Sequence, residues 1–231
     1  IPQDLLQFLL TKNRISRQNV LLSDRFHNFK DFMKFPNFGI PNLNYPSIDP
    51  IIQKRLESSK TILSAIESRD VVLMYPYQSF DYLLDFLRES SINPDVTEIK
   101  MSLYRLSRKS QIVNILMNAV KNGKKVLVVL EITARFDEEN NIFWANQMRE
   151  EGIQVIYGHP DYKVHAKMVY VKKRSQGKIT EYANISTGNF NEVTADIYSD
   201  IALFTSRKIL TREISQIFDF LEYSKTPKPK Y

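Results

Sequence analysis

A histidine between two lysines, in the segment KVHAKMVYV (residues 163–171), is the arrangement in this chain best suited to covalent chemistry. Extended backbone turns successive side chains to opposite faces. A strand over Lys163–Val171 therefore puts Lys163, His165 and Lys167 on one face and Val164, Ala166, Met168 and Tyr170 on the other. Flanking cations disfavour protonation of an imidazole and draw in a polyanion at the same time. A neutral ring nitrogen that meets a terminal phosphorus can form a phosphohistidine, which splits one transfer into two displacements. Taken alone, a histidine in a strand is more often structural, so its company decides.

That company has two parts. In STGNFN (residues 186–191), Gly188 lets the backbone turn sharply, while Asn189 and Asn191 offer amides that could orient a ring or a phosphate. Arg105 follows the strand-like MSLYR and Arg135 follows LEITAR, so both lie just past the carboxyl ends of strands that a right-handed helical crossover makes parallel. Ligands of such sheets bind at that edge, where guanidinium forks can grip phosphate oxygens and stabilise the charge of a phosphoryl-transfer transition state. His-x-Lys together with a Gly/Asn turn resembles one half-site of the phospholipase D superfamily. The Asp common a few residues after that Lys is replaced here by Lys172, which counts against a general phosphodiesterase. In ARFDEENNIFWA (residues 134–145), Asp137, Glu138 and Glu139 read as favourable charges at a helix N-terminus in preference to a carboxylate metal site, and Trp144 reads as core.

The elements that must position these residues follow from periodicity. Phe26, Phe29, Phe32 and Phe35 would share one side of a helix, and Pro36, Pro41, Pro46 and Pro50 then mark an extended linker with a domain boundary near Pro50. Beyond it, Ile52, Leu56, Leu63 and Ile66 form a helical stripe and Val71–Met74 a strand; Ser79–Ser90 is helical with Ser79 as N-cap, and Thr97–Leu103 is a strand. Ser110 caps a helix that ends at Gly123, and Val126–Ile132 suits a central strand covered on both faces. Asn140–Glu150 is helical. Strands follow at Gln154–Tyr157, Lys163–Val171, Glu181–Ile185 and Ile197–Phe204, before a helix within Lys208–Tyr223. The predicted fold is α/β, a mixed sheet flanked by helices.

Of the 231 residues 43% are hydrophobic and 25% charged, the balance of a folded soluble domain, and the net charge of +6 favours anionic partners without choosing among them. There is no cysteine, which excludes disulfides and thiolate metal sites. No apolar run has the length of a membrane span and no signal-peptide pattern opens the chain, so a cytoplasmic location is expected, with peripheral membrane association left open. The chain begins at Ile1 without an initiator Met and ends in the Lys/Pro-rich stretch 224–231, which suggests a piece of something longer.

YPYQSFDYLLDFL, EIKMSLYRL, ARFDEENNIFWA, YKVHAKMVYV, STGNFN and DIYSDIALFT, in this order and spacing, resemble the first C-terminal catalytic domain of the polyphosphate kinases. The resemblance implies a phospholipase D-like domain over residues 52–231, preceded over residues 1–51 by the end of a helical domain and a linker. It implies reversible transfer of the terminal phosphate of ATP to inorganic polyphosphate, with magnesium, in a homo-oligomer without a specific nucleic-acid partner. His165 then matches the family's phosphohistidine. Arg105 and Arg135 match its magnesium-phosphate site, where a guanidinium, lacking a lone pair, would act through phosphate oxygens. Tyr198 matches a nucleotide contact, Lys163 joins the ATP and phosphate contacts, and Lys167, Asn189 and Asn191 take the supporting positions. The family's second catalytic histidine is expected outside this chain, because neither His27 nor His159 lies in a His-x-Lys pattern. Two other functions compete with this one. One is a phosphodiesterase or nuclease built from two half-sites in a homodimer; the other is a non-catalytic module that holds polyanions.

Overall fold

Strand β3 (Lys125–Leu130) has the most continuous run of branched apolar residues, and the computed structural model of the chain buries it on both faces. Val126, Val128 and Leu130 join one core, and Leu127 and Val129 join a second on the other side of the sheet. Alternation of side chains makes a single strand serve both. The structure describes residues 1–22, 32, 35–40, 43, 49–132, 138–159 and 163–223. The chain divides into two compact units, Ile1–Ser47 and Ile48–Tyr231.

The first unit contains helix α1 (Gln3–Lys12) and a short 3-10 turn at Arg17–Asn19. Of the periodic phenylalanines, Phe26 and Phe29 lie outside the described residues. Phe35 is not helical, and its ring packs 6.3 Å from Phe32 and 5.7 Å from Phe38.

In the second unit the described residues form a seven-stranded mixed sheet in the order β1-β7-β6-β5-β2-β3-β4. The remaining strands are β1 (Val71–Tyr75), β2 (Val96–Leu103), β4 (Gln154–Tyr157), β5 (Lys167–Ser175), β6 (Lys178–Ser186) and β7 (Asp200–Thr205). β2, β3 and β4 are parallel, joined by helices α5 (Gln111–Lys121) and α6 (Glu138–Glu150); all other pairings are antiparallel. The larger core lies under α5, α6 and the earlier helices α2 (Lys54–Ser58), α3 (Ile62–Ser68) and α4 (Asp81–Ile92). On the opposite face, α8 (Lys208–Tyr223) packs Ile214 and Phe218 against Leu127, Val129, Met168 and Tyr170. Each such fully buried side chain contributes about 1.5–3 kcal/mol through removal of apolar surface from water. Lys100, buried in β2, reaches Asp219 at 3.1 Å and Glu222 at 3.4 Å, which fixes α8 along the sheet.

Several elements depart from the periodicity. The stripe Ile52–Ile66 is split between α2 and α3, because Thr61 and Ser64 form a reciprocal capping box that starts a new helix. α4 starts at Asp81, and Ser79 serves it from one residue further out by accepting the Asp81 N–H at 3.0 Å. β6 starts earlier than its apolar run, since Gln176 and Gly177 both have positive φ and close a two-residue hairpin with β5. β7 starts at Asp200 instead of Ile197: helix α7 (Glu192–Ala195) intervenes, and the amides of Ile197 and Tyr198 both bond to the Thr194 carbonyl.

The most consequential departure concerns the histidine. Strand β5 starts at Lys167, so Lys163 and His165 precede it. The hydroxyl of Ser102 replaces the backbone of β2 there, donating to the Ala166 carbonyl at 2.7 Å and accepting from the Met168 amide at 2.9 Å. The expected sorting of faces survives in part, since Val164, Met168 and Tyr170 share the α8-side core.

Candidate active site

Topology gathers the chemistry-bearing residues at one end of the sheet. The parallel strands β2 and β3 finish there, the antiparallel β5 begins there, β6 runs out into STGNFN, and β7 starts there. His165 is exposed, whereas Lys167 beneath it is buried. Lys167 Nζ lies 2.9 Å from His165 Nδ1 and also donates to the His165 carbonyl. An ammonium can only donate, so while Lys167 is charged this contact takes the Nδ1 lone pair and leaves the ring proton on Nε2. The imidazole pKa is held below the ordinary histidine value by burial first, then by the charges of Lys167, Lys163 and Arg105. Burial likewise lowers the pKa of Lys167, against the opposing pull of Asp200.

Tyr104 is the centre of this group. Its ring meets His165 edge-on with centroids 4.8 Å apart. Lys167 Nζ, Lys163 Nζ and the Arg105 guanidinium lie 5.3, 5.6 and 5.9 Å from its centroid. Within about 6 Å the negative face of a phenol ring attracts a cation, which lets three positive charges gather beside one imidazole. Behind the histidine, the buried carboxylate of Glu131 at the end of β3 accepts the amide of Val164 at 3.3 Å and fixes the approach to His165.

The STGNFN turn is built around a contact. A Cβ on Gly188 would lie 2.2 Å from Asp200 Oδ2, so the glycine is required by close approach of a carboxylate. Thr187 Oγ1 donates to Asp200 Oδ1 at 2.8 Å and accepts from the Ile201 amide at 3.0 Å, tying the turn to β7. Asn191 is buried and engaged at both ends of its amide: Oδ1 caps α7 by accepting from Val193 and Thr194, and Nδ2 donates to the Arg105 carbonyl. Asn189 Oδ1 is buried without a hydrogen-bond partner among the described residues. Glu192 reaches across to α5, accepting from the Ser107 hydroxyl at 2.7 Å and the Gln111 amide at 2.7 Å.

The structure thus places His165, Lys167, Lys163 and Arg105 around one ring. Asn189 and Asn191 lie in the turn that leaves β6, and Tyr198, 60% exposed, lies just before β7 at the same end of the sheet. Arg135 lies outside the described residues. His159 is stacked on Phe220 with centroids 4.9 Å apart, and Trp144 is core as expected. Tyr104, Glu131 and Asp200 were missed by the residue-by-residue reading, although Tyr104 is adjacent to Arg105 and Asp200 sits in DIYSD. Among the described residues no group of three or more His, Asp and Glu side chains could hold a metal ion. No described helix is long and apolar enough to cross a membrane.

Residues 61–227 match the family model described as polyphosphate kinase C-terminal domain 1. The polyphosphate kinase of Vibrio parahaemolyticus is 41% identical over 223 residues, which is 96% of this chain and 32% of that one. The chain therefore spans about a third of the length of the curated relatives it matches. A crystal structure of polyphosphate kinase from Porphyromonas gingivalis superposes on the whole chain with a TM-score of 0.77 at 33% identity, over 36% of its own length. Nuc, a phospholipase D family member from Salmonella typhimurium, shares the fold with a TM-score of 0.52 at 17% identity, over 67% of this chain and 95% of its own.

Proposed function

The chain belongs to the polyphosphate kinase family, and from that premise we propose that His165 carries the phosphoryl group in reversible transfer between ATP and inorganic polyphosphate by the whole protein. One observation carries the assignment: an exposed imidazole whose Nδ1 is held at 2.9 Å by Lys167, inside a ring of cations.

In the forward direction Nε2 of His165 attacks the γ-phosphorus. The bond to the bridging oxygen breaks and its electron pair leaves with ADP. A terminal oxygen of polyphosphate then attacks the phosphohistidine, the P–N bond breaks, and the neutral ring is restored with the polymer one unit longer. Attack from Nε2 needs its lone pair free, so the ring proton must sit on Nδ1. Nδ1 can carry that proton once the Lys167 ammonium turns from the ring to the oxygens of the incoming phosphate, which offer it stronger acceptors than an imidazole nitrogen. Arg105 grips the oxygens of the transferred group, with Arg135 assigned the same role by the resemblance, and Lys163 attracts the incoming polyanion. Asn189 and Asn191 support the turn beside the ring. The exposed ring of Tyr198 is available to stack on the nucleotide base.

Magnesium, when bound, would neutralise charge on the phosphates. The donor set at this end of the sheet fits a metal that arrives on nucleotide oxygens held by Arg105, since guanidinium groups offer no lone pair. We further assign residues 1–51 to the end of a helical domain with its linker, and residues 52–231 to the first catalytic domain. The whole protein is read as a homo-oligomer.

The test uses full-length enzyme and γ-labelled ATP. Acid-labile label is expected in the parent and lost in His165→Ala; label persisting in that variant removes the assignment. Cleavage of DNA or phospholipid by the same preparation would favour the phosphodiesterase reading instead.

A further inference from the structure

The loop after β2 that carries Tyr104 and Arg105 is held in an unusual way. Its four successive carbonyls are each taken by a side chain from elsewhere: Tyr104 O by Asn141 Nδ2 at 2.9 Å, Arg105 O by Asn191 Nδ2 at 3.4 Å, Leu106 O by Asn140 Nδ2 at 2.8 Å, and Ser107 O by Trp144 Nε1 at 2.9 Å. Asn141 also accepts the Leu106 amide at 3.4 Å and donates to the Glu131 carbonyl at 3.0 Å, so one amide with no exposed surface bridges the ends of β2 and β3. Three of these donors come from the first turns of α6, in the NNIFW part of ARFDEENNIFWA.

Surface loops ordinarily leave such carbonyls to water, which satisfies them without fixing their direction. Here the donors belong to a helix packed in the core and to the turn leaving β6. The loop is therefore fixed in rotation as well as position. The consequence falls on Tyr104, which packs edge-on against His165, and on Arg105, whose charge acts on the same ring. Catalytic gain from a guanidinium depends on its being in place before charge develops, and misplacement by about 1 Å costs on the order of a hundredfold in rate.

We propose that Asn140, Asn141 and Trp144, with Asn191, are positioning residues that clamp residues 104–107 so that Arg105 meets the transferred phosphoryl group at His165 without reordering. This rests on the phosphohistidine reading. None of the four needs to touch substrate.

The experiment uses full-length enzyme and measures single-turnover phosphorylation of His165 at saturating labelled ATP, with the nucleotide Kd measured separately. Asn140→Ala and Trp144→Phe are each made alone and combined with Arg105→Ala; both remove one donor, and the second keeps a ring in the core. Each single variant is expected to slow phosphorylation about tenfold while the Kd changes by less than about twofold, and neither is expected to slow it further once Arg105 is gone. The same fold-loss in the Arg105→Ala background, or single variants as fast as the parent, would overturn the clamp. Arg105→Ala phosphorylating at the parental rate would overturn it as well, while leaving the histidine assignment standing. A parent enzyme that takes no label on His165 would instead show that the underlying reading had failed.

Discussion

Replacing Gly188 with alanine perturbs the site through a single methyl group. The added Cβ would lie 2.2 Å from Asp200 Oδ2, 2.4 Å from its Cγ and 2.8 Å from its Cβ, where ordinary contacts between carbon atoms are about 3.5–4.0 Å. Rotating the carboxylate away relieves the first two overlaps but not the third, so the start of β7 must shift too. Rotation also breaks the 2.8 Å bond from Thr187 Oγ1. Overpacking of this kind costs about 1–3 kcal/mol and a lost hydrogen bond about 1 kcal/mol. The sum, about 3 kcal/mol, corresponds to a fall in Tm of roughly 6–12 °C for a domain of this size. Because Gly188 does not have a positive φ, alanine is acceptable to the backbone itself, and the clash is the whole effect. Urea denaturation of the chain gives the cost directly. A double-mutant cycle with Asp200→Gly, which removes all three of these atoms, should reduce the cost of Gly188→Ala to below about 1 kcal/mol. A single variant within about 0.5 kcal/mol of the parent, or a cost unchanged in the Asp200→Gly background, would refute the contact.

In Lys167→Met the acid limb of the His165 phosphorylation rate should move to higher pH. The parent ring titrates below the ordinary histidine value because burial and the Lys167, Lys163 and Arg105 charges oppose its protonation, and one of those charges is then gone; an unmoved limb would contradict the geometry. Lys100→Met leaves Glu222 buried without its cation and should lower stability by about 2 kcal/mol in urea, whereas a value near zero would show that α8 docks by apolar packing alone. Glu192→Ala strips the acceptor from Ser107, Ser110, Gln111 and Ile112 at the start of α5, and a loss of about 2 kcal/mol is expected in the same assay; an unchanged midpoint would show that water replaces the carboxylate.

The elements that make one face or two faces apolar were legible from the sequence. β3, β4 and α8 fall where their patterns put them, since burial alone dictates that pattern. The start of β5 was not, because alternation of side chains reports extended backbone and not its pairing partner; the ladder is interrupted by the hydroxyl of Ser102, far away in the chain. Gly188 was legible as special, but its reason, a carboxylate lying against it, belongs to tertiary structure. Asn141 was invisible for a related cause: a polar side chain on a helix reads as solvated, yet this one is buried against carbonyls that only the fold brings to it. His165, Lys167 and Arg105 could be grouped from residue type and spacing, whereas Tyr104 at their centre gave no signal apart from its neighbour.

The central claim is that the imidazole of His165 is a kinetically competent carrier of phosphorus through Nε2. Full-length enzyme briefly charged with labelled ATP and then mixed with unlabelled polyphosphate and excess unlabelled ATP, quenched on the millisecond scale in alkali, measures this most directly. The account predicts label at Nε2 of His165 that passes into the polymer at least as fast as steady-state turnover. Label on Nδ1, or label that stays on the protein while polymer grows from unlabelled ATP, would contradict it.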